Sequence, residues 1–275
     1  DPKLTLRLLE RYGITTFCAP PTVYRVLVLE DLGRYKLDKL RHCTAAGEPL
    51  NPEVISRWEK GTGLKIYDGY GQTETVNIVG NYRCMPIKPG SMGKPTPGFD
   101  IAIVDDNGRK LPPRREGHIA IRIKPTRPVG LFKEYWKEPA RMKEVFKGDW
   151  YYTGDRAYRD DGGYFWFIGR ADDVIISSGY RIGPFEVESA LIEHPAVAEA
   201  AVVASPDDLR GEVVKAFVIL APGYEGSEEL KKELQEHVKR VTAPYKHPRK
   251  IDFVNELPKT ISGKIKRGEL KRKEW

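Results

Sequence analysis

The sequence is poor in cysteine, with only Cys18, Cys43 and Cys84 among its 275 residues. An odd number without the close spacing of metal ligands argues against a disulfide framework and against a cysteine-bound zinc. Cys18 and Cys43 lie in apolar, strand-like runs, which predicts that both are small buried residues. A reducing compartment is therefore expected, and the cytoplasm is the simplest choice.

Long apolar runs are also missing. No stretch approaches the roughly 20 apolar residues that a membrane-spanning helix needs, so no membrane span is expected. Residues 1–30 are amphipathic and carry charge throughout, unlike a signal peptide. The chain begins with Asp1 rather than Met, so we expect an excerpt, a processed product or an engineered piece.

Acidic residues are scarce at one end of the chain. Residues 231–275 contain 14 Lys and Arg against 6 Asp and Glu, whereas the whole chain has a net charge of only +7. The rest of the sequence is therefore close to neutral. A basic end predicts an anionic partner, which is a phosphate compound, nucleic acid or acidic lipid.

Residues 1–85 alternate between helical and strand-like patterns. Helical spacing is found at 4–12, 20–29 and 51–60, and strand-like runs are found at 14–18, 40–45 and 64–68. Asn51 followed by Pro52 is typical of a helix start. Strands separated by helices predict a parallel sheet, so this part is α/β.

The pattern changes twice further along the chain. Residues 86–171 contain short strands joined by tight turns, such as Asp106-Asn107-Gly108, which predicts a small antiparallel β-barrel. Residues 172–275 mix strands and helices and predict an α+β domain. We therefore expect a larger domain at 1–171, made of the α/β and barrel-like parts, and a small, mobile domain at 172–275.

The first motif with chemical potential is Asp68-Gly69-Tyr70-Gly71-Gln72-Thr73-Glu74-Thr75, placed directly after a predicted strand. Two glycines allow a ligand to approach the backbone, and an aromatic ring can cover a purine. A hydroxyl followed by a carboxylate suits a phosphate with Mg²⁺. An ordinary turn between a strand and a loop explains the same residues.

Three further motifs follow, and each has an ordinary structural explanation by itself. Thr153-Gly154-Asp155 places a carboxylate after a tight turn, where it can accept hydrogen bonds from ribose hydroxyls or remain solvated. Ser177-Ser178-Gly179-Tyr180 suits a hairpin. Ser262-Gly263-Lys264 predicts a lysine on a mobile loop, either solvated or facing a developing oxyanion.

The order of these motifs resembles the adenylate-forming enzymes, a superfamily of acyl-CoA synthetases, luciferases and peptide-synthetase adenylation domains. The motifs are Tyr-Gly-Gln-Thr-Glu-Thr, Thr-Gly-Asp, Gly-Arg-x-Asp-Asp, Ser-Gly-Tyr-Arg-Ile and Ser-Gly-Lys-Ile-x-Arg. The resemblance covers essentially the whole chain. The phrases Val-Thr-Ala-Pro-Tyr-Lys and Arg-Gly-Glu-Val-Val-Lys are most similar to medium-chain acyl-CoA synthetases.

The resemblance implies a site for ATP, or the AMP made from it, and Mg²⁺. Its residues are Gly47, Glu48 and Pro49; Asp68, Gly69, Tyr70, Gly71, Gln72 and Thr73; and Asp155 with Arg170 beside it. Tyr70 is implied to lie against the adenine, and Asp155 to bind the ribose hydroxyls. Thr73 is implied to contact phosphate, and Glu74 to hold Mg²⁺.

The small domain is implied to turn about Asp172. In one pose Lys264 orients the substrate carboxylate and the α-phosphate, because fixed positive charge offsets the repulsion between two anions. Thr73, Glu74 and Lys264 are thus the implied catalytic residues. In the second pose the small domain is implied to bind coenzyme A through Ser178, Gly179, Tyr180, Arg181, Arg210, Lys239, His247, Pro248 and Arg249.

Gly71 carries information about the acid substrate. Acetate-using relatives have a tryptophan here, so the glycine implies medium-chain fatty or aromatic acids. We predict that Gly71→Trp shifts preference toward short acids.

The family's Ser/Thr/Gly-rich phosphate loop has no match in residues 1–275. The chain is therefore expected to represent the C-terminal half of an enzyme, to need an N-terminal half as its intramolecular partner, and to be inactive or severely impaired alone. Alternatives are an adenylation domain that loads a carrier protein, and a non-catalytic nucleotide-binding remnant. Nucleic-acid binding through the basic end is not expected, because no recognition motif accompanies it. Relatives occur in the cytoplasm and, in eukaryotes, in the mitochondrial matrix.

Overall fold

A computed structural model describes residues 1–260 and 263–275. It divides the chain into two compact units, Asp1–Phe167 and Ile168–Trp275, which we call unit 1 and unit 2 and describe separately. The division falls slightly before the boundary predicted after residue 171. Ile261 and Ser262 of the predicted lysine loop lie outside the described residues.

Unit 1 begins with alternating helices and strands and continues mainly as strands. Its helices are α1 (Pro2–Arg11), α2 (Pro21–Leu27), α3 (Pro52–Thr62) and α4 (Pro139–Val145). Its strands are β1 (Thr16–Ala19), β2 (His42–Ala46), β3 (Ile66–Gln72), β4 (Val76–Gly80), β5 (Lys94–Pro95), β6 (Ile101–Val104), β7 (Gly117–Arg122), β8 (Phe146–Lys147), β9 (Trp150–Arg159) and β10 (Phe165–Arg170), the last of which ends in unit 2.

The first sheet has the order β1-β2-β3-β4-β5. Strands β1, β2 and β3 are parallel, as predicted, and β4 and β5 continue the sheet in antiparallel pairing. The core beneath it centres on Trp58, which is fully buried with its ring 5.1 Å from that of Tyr24. The Tyr24 hydroxyl donates to the carbonyls of Phe17 and Thr44, both at 3.2 Å, and so joins α2 to two strands.

The residues predicted to form a small barrel make an antiparallel sheet curled like half a barrel. Its order is β10-β9-β7-β6, with β8 also paired to β9. Buried side chains of this sheet, such as Ile119 and Phe165, share one core with Ile78 and Val79 of β4. The two sheets of unit 1 therefore meet at β4, beside the segment singled out in the sequence.

The cysteines are only partly where we expected them. Cys43 on β2 is fully buried, and burial raises the pKa of its thiol to about 11. Cys18 is exposed, contrary to the prediction, because it lies on the opposite face of β1 from Phe17 and Ala19, which join the core. An apolar strand pattern shows that a strand forms, but not that both of its faces are covered.

Unit 2 is α+β, as predicted. Its elements are β11 (Ile175–Ser177), β12 (Tyr180–Ile182), α5 (Pro184–Ile192), β13 (Val197–Asp207), β14 (Gly211–Leu220), α6 (Glu228–Val241), β15 (Lys250–Phe253) and α7 (Arg267–Arg272). The sheet order is β12-β11-β14-β13, and β15 pairs with β14 in parallel. Ser227 caps α6 by accepting from the Leu230 N–H at 3.1 Å.

Both faces of this sheet are covered at β13. On β13, Ala200 and Val202 join the core formed with α5 and α6, whereas Ala201 and Val203 join a second core that includes Leu270 of α7. The near-continuous apolar run of β13 follows from this double coverage. In the described part of the chain, no helix has the length and apolar character required to cross a membrane.

Candidate functional site

Strand β3 runs further than predicted and carries most of the first motif. It continues through Asp68 to Gln72, and a short turn then leads into β4. The buried Thr75 closes this turn, because its N–H donates to the Gln72 carbonyl at 3.0 Å and its hydroxyl accepts from the Gln72 N–H at 2.9 Å. Thr73 and Glu74 therefore occupy the tip, where Thr73 is exposed.

The Asp155 carboxylate lies against this segment, 85 residues away in sequence from Tyr70. Its Oδ2 accepts from the Tyr70 hydroxyl at 2.6 Å and from Gln72 Nε2 at 2.8 Å. Gln72 Nε2 also donates to the Thr153 carbonyl at 2.8 Å, and Tyr151 donates to Gln72 Oε1 at 3.3 Å. These bonds fix the orientation of the Gln72 amide and hold a buried carboxylate beside the turn.

A bulge in β9 explains the position of Asp155. The sequence placed this residue after a tight turn, but it lies inside β9. The register with β7 shifts between His118 and Ala120, and Gly154 has a φ of +81°. A glycine at positive φ accommodates the two extra residues of β9 and redirects the following side chain, as bulges beside active sites commonly do.

The environment keeps Tyr70 protonated. Burial and, secondarily, the neighbouring Asp155 carboxylate raise the pKa of the Tyr70 hydroxyl well above its usual value. The hydroxyl therefore remains a hydrogen-bond donor to Asp155 over the physiological range. Its ring lies 6.4 Å from that of Phe167. The implied contact of Tyr70 with an adenine stays a prediction.

Gly47, Glu48 and Pro49 follow β2, the parallel neighbour of β3. Gly47 has a φ of +96°, which favours glycine at this turn. The Glu48 carboxylate accepts from the Thr22 hydroxyl at 2.8 Å and from Arg25 at 3.1 Å. The fold thus places both predicted nucleotide segments at the carboxyl ends of neighbouring parallel strands, where α/β sheets commonly bind ligands.

Asp68 is buried and accepts a hydrogen bond from the Gly69 N–H at 3.0 Å. Burial raises the pKa of this carboxyl group well above its usual value. In the folded chain Asp68 therefore keeps a proton at pH values where the unfolded chain has released it. The resulting stability is fully present below the unfolded pKa of about 4 and is lost as the pH rises through the folded pKa.

Asp68→Asn is accordingly expected to flatten the pH dependence of stability. The asparagine oxygen retains the bond from Gly69 but cannot ionise. Thermal midpoints are measured for both proteins at several pH values between about 5 and 8. As the pH rises, the midpoint of the wild type should fall more than that of the variant. Parallel curves for the two proteins would contradict the burial of an ionisable carboxyl group at this position.

The predicted hinge lies in unit 2, in the turn between β10 and β11. Asp172 is exposed and accepts from Arg170 Nε at 3.2 Å. Burial and the charge of Asp172 raise the pKa of the next residue, Asp173. A short, largely exposed turn just inside unit 2 suits a hinge, and the rotation itself stays a prediction.

The Ser178-Gly179 pair forms a two-residue hairpin turn between β11 and β12. The φ angles are +49° and +83°, as a type I′ turn requires. The Ser178 N–H donates to the Arg210 carbonyl at 3.3 Å, so the hairpin adjoins the turn before β14. Arg181 follows on the exposed side of β12.

The basic residues predicted to bind coenzyme A lie near this hairpin. Tyr180 stacks on Tyr245 with ring centroids 4.3 Å apart, and Tyr245 shortly precedes His247, Pro248 and Arg249. Burial lowers the pKa of His247, and the nearby positive charges of Lys239 and Arg249 lower it further. The fold therefore joins the hairpin and the basic segment on one region of unit 2.

Lys264 lies at the end of a small hairpin. Its N–H donates to the Thr260 hydroxyl at 3.1 Å, and the Thr260 N–H donates to its carbonyl at 2.8 Å. Lys259 and Ile265 form the bridge at the base. The side chain of Lys264 is exposed, and it pairs with no carboxylate in the described part of unit 2.

Family models match both parts of the chain. The model described as AMP-binding enzyme matches residues 1–136, and that described as AMP-binding enzyme C-terminal domain matches residues 186–264. The chain belongs to the AMP-binding enzyme family. The resemblance drawn from the ordered motifs is thereby confirmed.

Curated relatives of this AMP-binding enzyme include mitochondrial acyl-coenzyme A synthetases. The chain is 61% identical to ACSM3 of Mus musculus over 98% of this chain and 47% of that protein. It is 60% identical to ACSM4 of Homo sapiens over 100% of this chain and 48% of that protein. The chain thus spans about half the length of the curated relatives it matches.

Solved structures of CoA ligases are also similar to this chain in sequence and fold. The anthranilate CoA ligase AuaEII in complex with anthranoyl-AMP superposes with a TM-score of 0.91 at 38% identity, over 99% of this chain and 52% of that chain. A benzoate CoA ligase from Burkholderia xenovorans LB400 gives a TM-score of 0.87 at 32% identity, over 98% of this chain and 54% of that chain.

The fold also adds residues that the sequence did not single out. Tyr135 donates to Glu74 Oε1 at 2.9 Å, and the Phe132 N–H donates to the Glu74 carbonyl at 2.7 Å. Arg141 of α4 lies 3.9 Å from the centre of the Tyr135 ring. The predicted magnesium ligand is therefore oriented by a segment about 60 residues away, a partnership that no local pattern indicates.

The residues present fit one particular mode of magnesium binding. Within residues 1–260 and 263–275, no three His, Cys, Asp or Glu side chains cluster as ligands of a metal. Mg²⁺ in nucleotide enzymes is commonly held by one or two carboxylates together with substrate phosphates. A single carboxylate at the turn tip, Glu74, suits that mode.

Proposed function

We propose that this chain is the part of an acyl-CoA synthetase that carries the ribose-binding carboxylate, the magnesium ligand and the adenylating lysine. A carboxylic acid and ATP would form an acyl-adenylate and pyrophosphate, and coenzyme A would then displace AMP to give the thioester. The observation that carries the proposal is the Asp155 carboxylate held by Tyr70 and Gln72 beside the β3–β4 turn.

The proposed nucleotide site follows from that geometry. Asp155 would accept hydrogen bonds from the ribose hydroxyls, with Arg170 beside it, and Thr73 at the exposed turn tip would donate to phosphate. Gly47, Pro49 and the backbone of β3 would line the base. Glu74, held by Tyr135, would bind Mg²⁺ brought with the phosphates, and the ion would neutralise part of their charge.

Lys264 would supply positive charge where the acid carboxylate meets the α-phosphate, and a turn of unit 2 about Asp172 would then withdraw it. Two features of Lys264 support this role. Its side chain is exposed, and two hydrogen bonds to Thr260 fix its backbone. A preorganised cation at a developing anion is worth far more than a mobile one, because it needs no reorganisation during the reaction.

Coenzyme A would be the thiol acceptor, and it would use the region around the Tyr180–Tyr245 stack. Gly179 at the hairpin turn leaves space for the pantetheine arm, and Arg210, Lys239 and Arg249 suit the nucleotide phosphates. This assignment accounts for the basic end of the chain without nucleic acid. A carrier protein is the other thiol donor that the test must exclude.

Medium-chain fatty or aromatic acids are the proposed substrates, because Gly71 leaves no side chain at a position filled by tryptophan in acetate-using relatives. A Cβ atom on residue 71 would lie 1.8 Å from the Val76 carbonyl oxygen, so every substitution forces the β3–β4 backbone to shift.

Gly71→Ala is therefore the matched control for Gly71→Trp. Both variants carry the backbone clash, and only the second carries the indole. Relative to Gly71→Ala, Gly71→Trp is expected to raise the acetate-to-octanoate ratio of kcat/KM at least about tenfold, since a pocket wall discriminates by roughly that factor per methylene. Equal ratios in the two variants would contradict the role of residue 71 as a pocket wall.

We further propose that residues 1–275 alone form no acyl-CoA at a measurable rate, because they contain no match to the family's phosphate loop. The test compares this chain with a chimera in which the first half of mouse ACSM3 precedes residue 1. The chimera should convert octanoate or benzoate, ATP and coenzyme A to thioester, AMP and pyrophosphate.

Other outcomes identify the alternatives. Thioester formation by the 275-residue chain alone would overturn the proposed inactivity. Acyl-adenylate without a coenzyme A thioester would favour a carrier-loading adenylation domain, and AMP binding without turnover in calorimetry would favour a non-catalytic remnant. Because the names of ACSM3 and ACSM4 place them in mitochondria, we propose the matrix for a eukaryotic parent.

A further inference from the structure

A partly buried ion pair adjoins the hairpin that carries Lys264. Arg267 begins α7 only three residues after Lys264. Its Nε donates to Glu188 Oε1 at 3.0 Å, and its Nη2 donates to Glu188 Oε2 at 2.7 Å. Glu188 lies on α5 and is only 4% exposed.

The same carboxylate also binds the central sheet of unit 2. Glu188 Oε1 accepts from the Val202 N–H of β13 at 2.9 Å. One buried carboxylate thus joins α5, β13 and the first residue of α7. A guanidinium that meets a carboxylate through two parallel bonds fixes direction as well as distance, which the single ammonium of a lysine does not.

The connection from Arg267 to Lys264 is short. Three residues of extended chain span at most about 11 Å. Ile265, between them, packs against the core formed by Ala201, Val203, Phe217, Leu257 and Leu270, and the Lys266 N–H donates to the Pro258 carbonyl at 2.8 Å. A displacement of Arg267 would therefore reach the base of the Lys264 hairpin directly.

Arg267 also influences the electrostatics of the proposed hinge turn. Its positive charge opposes the upward shift of the pKa of Asp173, which burial and Asp172 cause. The guanidinium is therefore close enough to the hinge turn to influence its charge. One residue then has contact with the body of unit 2 and electrostatic influence on the turn about which that unit is proposed to move.

We propose that Arg267, held by Glu188, is a positioning residue for Lys264 in acyl-adenylate formation, an inference that rests on the proposed function of Lys264. The chemical step requires a cation placed to within a fraction of an ångström, and misplacement by about 1 Å can cost 100-fold in rate. Thioester formation uses unit 2 but not Lys264. Loss of the ion pair should therefore affect the first half-reaction selectively.

The test uses the chimera with three variants, Arg267→Met, Glu188→Gln and the double variant. Arg267→Met alone leaves a buried, uncompensated carboxylate and is expected to destabilise unit 2. The double variant removes both charges, and the glutamine oxygen still accepts from Val202. We expect unit 2 to stay folded in the double variant, while the pair of hydrogen bonds between Arg267 and Glu188 that positions α7 is lost.

For the double variant we expect acyl-adenylate formation to fall about 10- to 100-fold. Thioester formation from supplied octanoyl-adenylate and coenzyme A should stay within about threefold, which also shows that unit 2 is folded. Amide hydrogen exchange should become faster at the N–H groups of Lys264 and Lys266, a readout that does not depend on activity.

Lys215→Met combined with Glu274→Gln is the matched control for the double variant. Lys215 is largely buried and pairs with Asp252 at 2.8 Å and with Glu274, beyond the other end of α7, at 2.7 Å. The combined change removes a comparable ion pair away from the hairpin, so it should leave the ratio of the two half-reactions and the hairpin exchange unchanged.

An unchanged ratio in the double variant, or equal loss of both half-reactions, would overturn the proposal. A separate variant tests the proposed function itself. If Lys264→Ala does not slow acyl-adenylate formation selectively, the proposed role of Lys264 is wrong, independently of the results for the Arg267 variants.

Discussion

Lys264→Ala in the chimera is expected to lower the rate of acyl-adenylate formation about 10²- to 10³-fold, the usual cost of removing one preorganised charge or donor from a developing anion. Thioester formation from supplied acyl-adenylate should remain within about threefold. The selectivity follows because the lysine lies on unit 2, which is proposed to present different surfaces in the two half-reactions. Rapid-quench measurement of each half-reaction provides the two rates.

Lys266→Ala is the control on the same segment. Lys266 is exposed and pairs with Glu269 at 3.0 Å, an interaction of the surface type that contributes little to stability. Both half-reactions should therefore stay near the wild-type rate. If Lys266→Ala lost as much adenylation activity as Lys264→Ala, the general positive charge of the segment would matter rather than Lys264. Full adenylation activity in Lys264→Ala would show that Lys264 is not the adenylating residue.

Asp155→Asn is expected to raise the KM for ATP and to lower kcat/KM for ATP at least about 100-fold. A hydrogen bond to a charged acceptor contributes about 1.5–3 kcal/mol, and the carboxylate is proposed to bind two ribose hydroxyls. Asparagine replaces an anionic acceptor with an amide that also donates. Steady-state kinetics at varied ATP, with a thermal midpoint for each protein, measure the effect.

Tyr70→Phe separates the nucleotide role of Asp155 from its structural role. This change removes the 2.6 Å bond to Asp155 but leaves the carboxylate and Gln72 in place. It is expected to cost about 1 kcal/mol of stability and at most about tenfold in kcat/KM. An unchanged KM for ATP in Asp155→Asn would refute ribose binding by that residue.

Local structure was the most predictable part of the molecule. Helix α3 begins at Pro52, as the Asn-Pro pair indicates. The Ser178-Gly179 turn is the hairpin that its motif suits. These features depend on neighbouring residues, whose spacing and backbone preferences are visible in the sequence.

The environment of the site was less predictable. The glycines of Asp68-Gly69-Tyr70-Gly71 suggested a loop, but the segment is strand, because β4 supplies antiparallel partners on its far side. Asp155 was expected after a turn and lies in a bulge of β9. In both cases a partner strand, rather than the local sequence, decides the backbone conformation.

The sequence by itself determined which chemical groups this family member has, because their order along the chain, from the Tyr70 motif to Lys264, is a linear property. Only the tertiary structure decided which groups meet: Tyr70 with Asp155, Glu74 with Tyr135, and Glu188 with Arg267. Each pair is separated by 60 residues or more. Side chains so far apart in sequence are brought together by strand register and helix packing, which no short stretch of sequence specifies.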